Sequence, residues 1–137
     1  MKIESIDHVA LPIRNVDAML QFYESLGFHI DSSLKPKLYS ANLHNQKINF
    51  HSPSLWEDTR FGLRAKNAVP GCGDLCFVWS GSVGSLIAHL KEIALPIVEG
   101  PVSRQGGRRN GNDIGTSVYA RDPDTNLIEF ICYPKPD

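Results

Sequence analysis

Four side chains of this 137-residue sequence stand where they can do chemistry: His8, His51, Asp74 and Glu129. Glu129 lies in Leu127-Ile128-Glu129-Phe130-Ile131. A carboxylate among apolar strand neighbours is costly unless something compensates its charge. A metal ion is one such compensator, and a buried Arg or Lys is another. His8 is mid-strand in Asp7-His8-Val9-Ala10-Leu11, and alternation puts it on the face of Ile6, Ala10 and Pro12. His51 ends its own strand in phase with Asn49. Two imidazoles and one carboxylate from three strands suit a first-row divalent ion with open positions. Zinc, manganese, iron, nickel and cobalt all fit that description. Such an ion would bind two oxygens of a small-molecule substrate and act as a Lewis acid. Glu129 then serves as a ligand or as a general base.

Asp74 has three readings of equal weight: a ligand, a carboxylate that orients a histidine, or the residue that starts its strand; in a metal-dependent enzyme it is expected, with Glu129, to be catalytic, as a ligand or a base. Ser103 to Asp113 reads Ser-Arg-Gln-Gly-Gly-Arg-Arg-Asn-Gly-Asn-Asp. Arg104, Arg108 and Arg109 there can close over an anionic substrate, as lids do, and a solvated flexible loop explains the composition as well. Arg104, Tyr119 and Asn49 are the residues expected to touch substrate. Trp56, Trp79, Phe50 and Tyr119 can line a cleft, though ordinary core packing is the commoner fate of such residues. His29, His44 and His89 are expected in solvent. No phosphate-cradling glycine motif, serine elbow or Cys-Xaa-Xaa-Cys is present.

These side chains need strands to aim them. Ser5 to Ile13 reads as the first strand. Asn15 or Asp17 can cap a helix whose stripe is Val16, Met19, Leu20 and Tyr23, spaced i, i+3, i+4 and i+7. Gly27 closes it. Strands follow over Phe28 to Leu34, Leu38 to Leu43 and Gln46 to His51, with His44-Asn45 as a hairpin turn. Ser52 to Gly73 lacks a period and reads as a linker with one irregular turn. The pattern then returns. Asp74 to Trp79 is a strand, and Ser82 caps a helix. Val83, Leu86, Ile87 and Leu90 form the second stripe. Leu95 to Val98, Thr116 to Arg121 and Leu127 to Tyr133 are strands, the last two joined by the turn-forming Asp122-Pro123-Asp124-Thr125-Asn126.

The two stripes are 67 positions apart in one register, which marks an internal duplication. Under the repeat, strand against strand, Asp74 takes the place of His8, and Asn49 takes the place of Glu129. The expected fold is α+β: two βαβββ modules forming a curved mixed sheet around a central cup. One domain spans 1–137, with module 1 over about 3–52, a linker over 53–72 and module 2 over about 73–134. Functional groups then sit mid-strand and face inward.

Composition agrees with a folded chain: 42% hydrophobic, 21% charged, formal net charge -1. Neither a nucleic-acid backbone nor an anionic membrane is implied as partner, and the opening residues lack an apolar run that would act as a signal or a span. A cytoplasmic setting is the default. Cys72, Cys76 and Cys132 are odd in number and read as reduced thiols. Cys72 and Cys76 would lie about 13 Å apart along a strand, too far for a bridge.

Ile6-Asp7-His8-Val9-Ala10-Leu11, with Phe22-Tyr23 and Leu26-Gly27-Phe28, resembles the start of the vicinal oxygen chelate superfamily. That group includes glyoxalase I, extradiol dioxygenases, thiol transferases and bleomycin-binding proteins. Arg121 through Glu129 is similar to its final hairpin and metal-ligating glutamate. Gln46 to His51, Pro70-Gly71 with Asp74-Leu75-Cys76, and Glu99-Gly100-Pro101-Val102 with Arg104 are closest to its glyoxalase-domain-containing and virulence-protein-like branch. The resemblance implies paired βαβββ modules, His8 and Glu129 as metal positions, and a homodimer. Asp74 stands where glyoxalase I and the extradiol enzymes carry a histidine, and Asn49 where glyoxalase I has a glutamate, so neither full ligand set is met. That weighs against isomerisation of a glutathione hemithioacetal. The function implied is a metal-dependent lyase, isomerase, dioxygenase or thiol transferase. The alternative is a metal-free protein of the bleomycin-resistance type that sequesters a small molecule. A purely structural role has no positive support.

Overall fold

The computed structural model describes residues 1–135. Its contacts divide the chain into two units: Met1–Gly73 together with Pro123–Thr125, and Asp74–Asp122 together with the residues from Asn126 on. Each unit is a four-stranded mixed sheet with a ten-residue helix packed on it. Both are open sheets in an α+β fold.

In the first unit β1 (His8–Pro12), β2 (His29–Asp31), β3 (Leu38–Leu43) and β4 (Gln46–His51) lie in the order β1-β4-β3-β2. β1 runs parallel to β4, and the other pairs are antiparallel. Helix α1 (Val16–Ser25) supplies the crossover. Its stripe buries Met19 and Tyr23 completely. The Tyr23 ring meets Phe50 at 5.2 Å and Phe28 at 5.3 Å. Leu11, Ala41 and Ile48 complete that core. The alternate residues of the same strands, Ala10, Asn49 and Ser40, pair side by side on the opposite face.

In the second unit β5 (Asp74–Val78), β6 (Glu99–Gln105), β7 (Ile114–Arg121) and β8 (Leu127–Cys132) repeat the arrangement as β5-β8-β7-β6. Helix α3 (Val83–Glu92) buries Leu86 and Leu90, and Val118, Ala120, Ile128 and Phe130 of β7 and β8 are buried with them. Ser82 caps it, its hydroxyl accepting from Ser85 N at 3.1 Å. The two helices are 67 positions apart, as their stripes require.

The strand bounds depart from expectation where backbone pairing fails. β2 covers only His29–Asp31. Leu95 to Val98 is not a strand. Ala94 takes φ 57, Leu95 N turns back to Leu90 O at 2.8 Å, and Pro96 has no N–H to donate. The edge strand is instead Glu99–Gln105, so three residues of the expected loop, Ser103 to Gln105, belong to β6. Its register slips between Glu99 and Val102. Gly100 sits there at φ 100, where a Cβ would come within 2.5 Å of Ser117 O, so a larger residue is excluded.

The segment expected as a linker belongs to the first unit. It opens with one helical turn, α2 (Pro53–Trp56). Trp56 Nε1 donates to Ile13 O at 2.8 Å. The guanidinium of Arg64 donates to the carbonyls of Trp56 and Ala68 and lies over the Trp56 ring at 5.8 Å.

Candidate functional site

The charged centre of the second unit is Glu129. Pairing sets it directly beside Cys76 on β5 and Tyr119 on β7. Ser117, diagonal to it and fully buried, donates its hydroxyl to Glu129 Oε2 at 2.6 Å. The Cys76 thiol is its neighbour across the parallel pair. Partial burial, then the Glu129 and Asp74 charges, push that thiol up to about 12. Cys76 is therefore protonated at neutral pH and not a thiolate nucleophile. Neither neighbour carries a charge. Among the described residues Glu129 takes part in no ion pair. A half-buried carboxylate held only by a neutral donor keeps an uncompensated charge.

Two residues expected at the substrate join this face. Arg104 Nε donates to the Tyr119 hydroxyl at 3.0 Å, and its guanidinium lies 5.6 Å from the ring centre. Asp74 starts β5, two residues before Cys76 on the same side, and is exposed. Arg108 and Arg109 are employed otherwise. Arg108 stacks 4.3 Å over Tyr133, and Arg109 contacts Asp113 through its Nε. The four-residue α4 (Arg108–Gly111) that carries them has left-handed Arg109 and Asn110 within it.

The first unit presents a different face. Asn49 occupies in the β1–β4 pair, beside Ala10, the place that Glu129 occupies in the β5–β8 pair, beside Cys76. Its Oδ1 is buried without a hydrogen-bond partner among the described residues. His8 pairs with Lys47, so Asn49 is its diagonal neighbour on that face. His8 is exposed, with Nδ1 2.6 Å from Asp7 Oδ1.

His51 does not join His8. The register sets it beside Pro12, four residues along the strands from the His8–Lys47 pair, which is about 13 Å at the usual rise. Alternation does put both on one face, but not within reach of one ion. The His51 ring instead packs edge-on against Phe61 at 5.2 Å. Burial, and then the charge of Arg64, hold its pKa below 6.5. Among the described residues no three His, Cys, Asp or Glu side chains gather as an ion site. The expected set of His8, His51 and Glu129 therefore does not fit a single three-ligand centre.

His51 opens on a cavity of about 540 Å³ whose wall includes Ala10, Pro12, Leu63 and Arg64. Sequence reading missed Arg64, because a lone arginine in an aperiodic stretch carries no signal of its own. It missed Asp124 as well, reading it as turn chemistry. That side chain accepts from Arg14 N at 2.7 Å, from Asn15 N at 3.1 Å and from Asn15 Nδ2 at 2.8 Å, which anchors the start of α1. Asp122 holds the turn itself, accepting from Asn126 N and Nδ2. Phe50 is core and not cleft. His89 is half-buried against Trp79, with ring centres 5.4 Å apart, whereas His29 and His44 are exposed. All three cysteines are free.

Residues 5–130 match the family model of the Glyoxalase/Bleomycin resistance protein/Dioxygenase superfamily. Virulence protein STM3117 of Salmonella typhimurium is 35% identical over 137 residues, covering 97% of this chain and 87% of its own. Its crystal structure superposes with a TM-score of 0.84, covering 98% of this chain and 100% of that one. Glyoxalase domain-containing protein RDO1 of Mycosarcoma maydis is 33% identical, covering 97% of this chain and 70% of its own. An integron cassette protein from the mobile metagenome of V. cholerae is 34% identical, with a TM-score of 0.83 and 98% of each chain covered.

Proposed function

The chain belongs to the Glyoxalase/Bleomycin resistance protein/Dioxygenase superfamily, and from that premise we propose that it is an enzyme acting on a small oxygen-bearing molecule through Glu129. The observation that carries this reading is the half-buried Glu129 carboxylate, held by Ser117, flanked by Cys76 and paired with no cation among the described residues. Such a group accepts a hydrogen bond or a proton from a substrate hydroxyl or an acidic C–H. Tyr119 and Arg104 beside it offer donors for a substrate oxygen. Asp74 adds negative charge near the same strand end. A protonated Cys76 argues against thiol transfer through that residue.

The test is a thermal-shift and turnover screen of the full chain against small hydroxy- and oxo-compounds. Compounds that stabilise or react with the native protein should lose their effect with Glu129→Gln, a near-isosteric change. Hits that act equally on both proteins would sink the reading.

A second reading keeps a divalent ion, with His8 and Glu129 as the superfamily's expected ligand positions. Its support is the unpartnered Asn49 Oδ1, an oxygen donor diagonal to His8. Elemental analysis of native protein decides it. Metal retained through dialysis, and lost on substituting His8, Asn49 or Glu129, favours the ion. Hits that bind metal-free protein unchanged, and are never turned over, favour sequestration in the bleomycin-resistance manner. A homodimer and a cytoplasmic setting go with the superfamily reading. Light scattering checks the first, and localisation of a tagged chain checks the second. The described residues contain no helix long and apolar enough to cross a membrane.

A further inference from the structure

The cavity of the first unit combines a cation with an apolar wall. Arg64 is half-buried, and its guanidinium is fixed by two carbonyl oxygens, those of Trp56 and Ala68, and by the face of Trp56. Those partners are neutral. Among the described residues Arg64 has no carboxylate within ion-pair distance. Among the described residues no Asp or Glu lines the cavity, whereas Ala10, Pro12, Leu63 and Ala68 do. The imidazole of His51 stands on the same wall, backed by Phe61. At about 540 Å³ the space lies in the range that takes a small organic ligand.

A fixed guanidinium without a counter-ion recognises an anion best of all. The apolar wall favours a ligand with a compact hydrophobic body. The geometry points to this cavity as a binding site for a small organic carboxylate, whose carboxylate meets Arg64 and the His51 ring N–H while its apolar body lies against Ala10, Pro12 and Leu63. His51 is then a ligand contact and not a metal ligand. The cavity belongs to the first unit and stands whether or not Glu129 handles a proton.

Benzoate and its neutral isostere benzamide are the probes, titrated calorimetrically against the full chain at millimolar concentrations. Benzoate should bind, and benzamide should bind about tenfold more weakly or not at all. Arg64→Gln should weaken benzoate about tenfold and remove the preference over benzamide, while Arg64→Lys should keep part of it. Arg64 also holds two carbonyls, so Ala10→Phe provides a variant that leaves Arg64 untouched and puts a ring into the cavity from its wall. It should abolish benzoate binding with the melting transition preserved. Absence of benzoate binding, equal affinity for both probes, or full binding by the Ala10→Phe protein would each overturn the proposal.

Discussion

The β4 face of the first unit and the β8 face of the second are built on the same plan, yet they carry opposite chemistry. Each rests on a parallel pair, β1–β4 or β5–β8, with the functional position two residues beyond a pair at the strand start. In one the position is Asn49, neutral, with an oxygen that has no hydrogen-bond partner among the described residues. In the other it is Glu129, charged, with a donor from Ser117 and the Cys76 thiol beside it. The linked turns differ too. β3 and β4 join through a tight turn in which exposed His44 takes φ 46, as a two-residue hairpin requires. β7 and β8 join through Asp122 to Asn126, a turn buttressed by its own side chains. Duplication thus conserves backbone placement and leaves each copy free to change what it holds.

The largest expected effect is functional. Glu129→Gln should cut turnover of any substrate by about a hundredfold or more if the carboxylate handles a proton, while Asn49→Asp should not create a second active face. Equal losses at positions 49 and 129 would break the asymmetry. Next is Asp124→Ala, which removes the acceptor of three hydrogen bonds at the start of α1. It should cost about 2–3 kcal/mol of stability by denaturant unfolding. The same substitution at Asn45 in the matching turn should fall within about 0.5 kcal/mol of the native protein.

Asn49→Leu should raise stability by about 1 kcal/mol, because it deletes a buried unpaired acceptor. A drop of that size would show that the oxygen has a partner in solution, an ion included. The smallest effects are titrations. Cys76 should react slowly with iodoacetamide at pH 8, its thiol being pushed up to about 12. Glu129→Gln should speed it, since removing a nearby negative charge lowers a thiol pKa. His51 should titrate by NMR below 6.5, and Arg64→Gln should move it upward. The sign for stability follows: below pH 6.5 the unfolded chain takes up a proton that the folded ring resists. His51 therefore contributes to a loss of stability as pH falls through that range.

Much of the fold is legible in the chain itself. The i, i+3, i+4, i+7 stripes at Val16 and Val83, the glycine after α1, the serine before α3 and the two hairpin turns each depend on neighbours within one or two turns of backbone. Those signals fixed both helices and six of the eight strands near their bounds. They failed at Leu95 to Val98, where apolar composition looks like a strand but the left-handed Ala94 turns the chain and Pro96 has no N–H to donate, so that among these described residues Val98 N alone reaches β7, at Tyr119 O.

What stood beyond reach was lateral. That His51 lies beside Pro12 and not His8, that Ser117 donates to Glu129, that Asp124 anchors α1 and that Arg64 faces an apolar cavity all depend on pairing between segments far apart in sequence. Alternation tells which face a residue takes, because that repeats every two residues. Position along the face is set by strand register, which local sequence does not encode. The residues determined by themselves what chemistry is available; only the tertiary structure decided which of them meet.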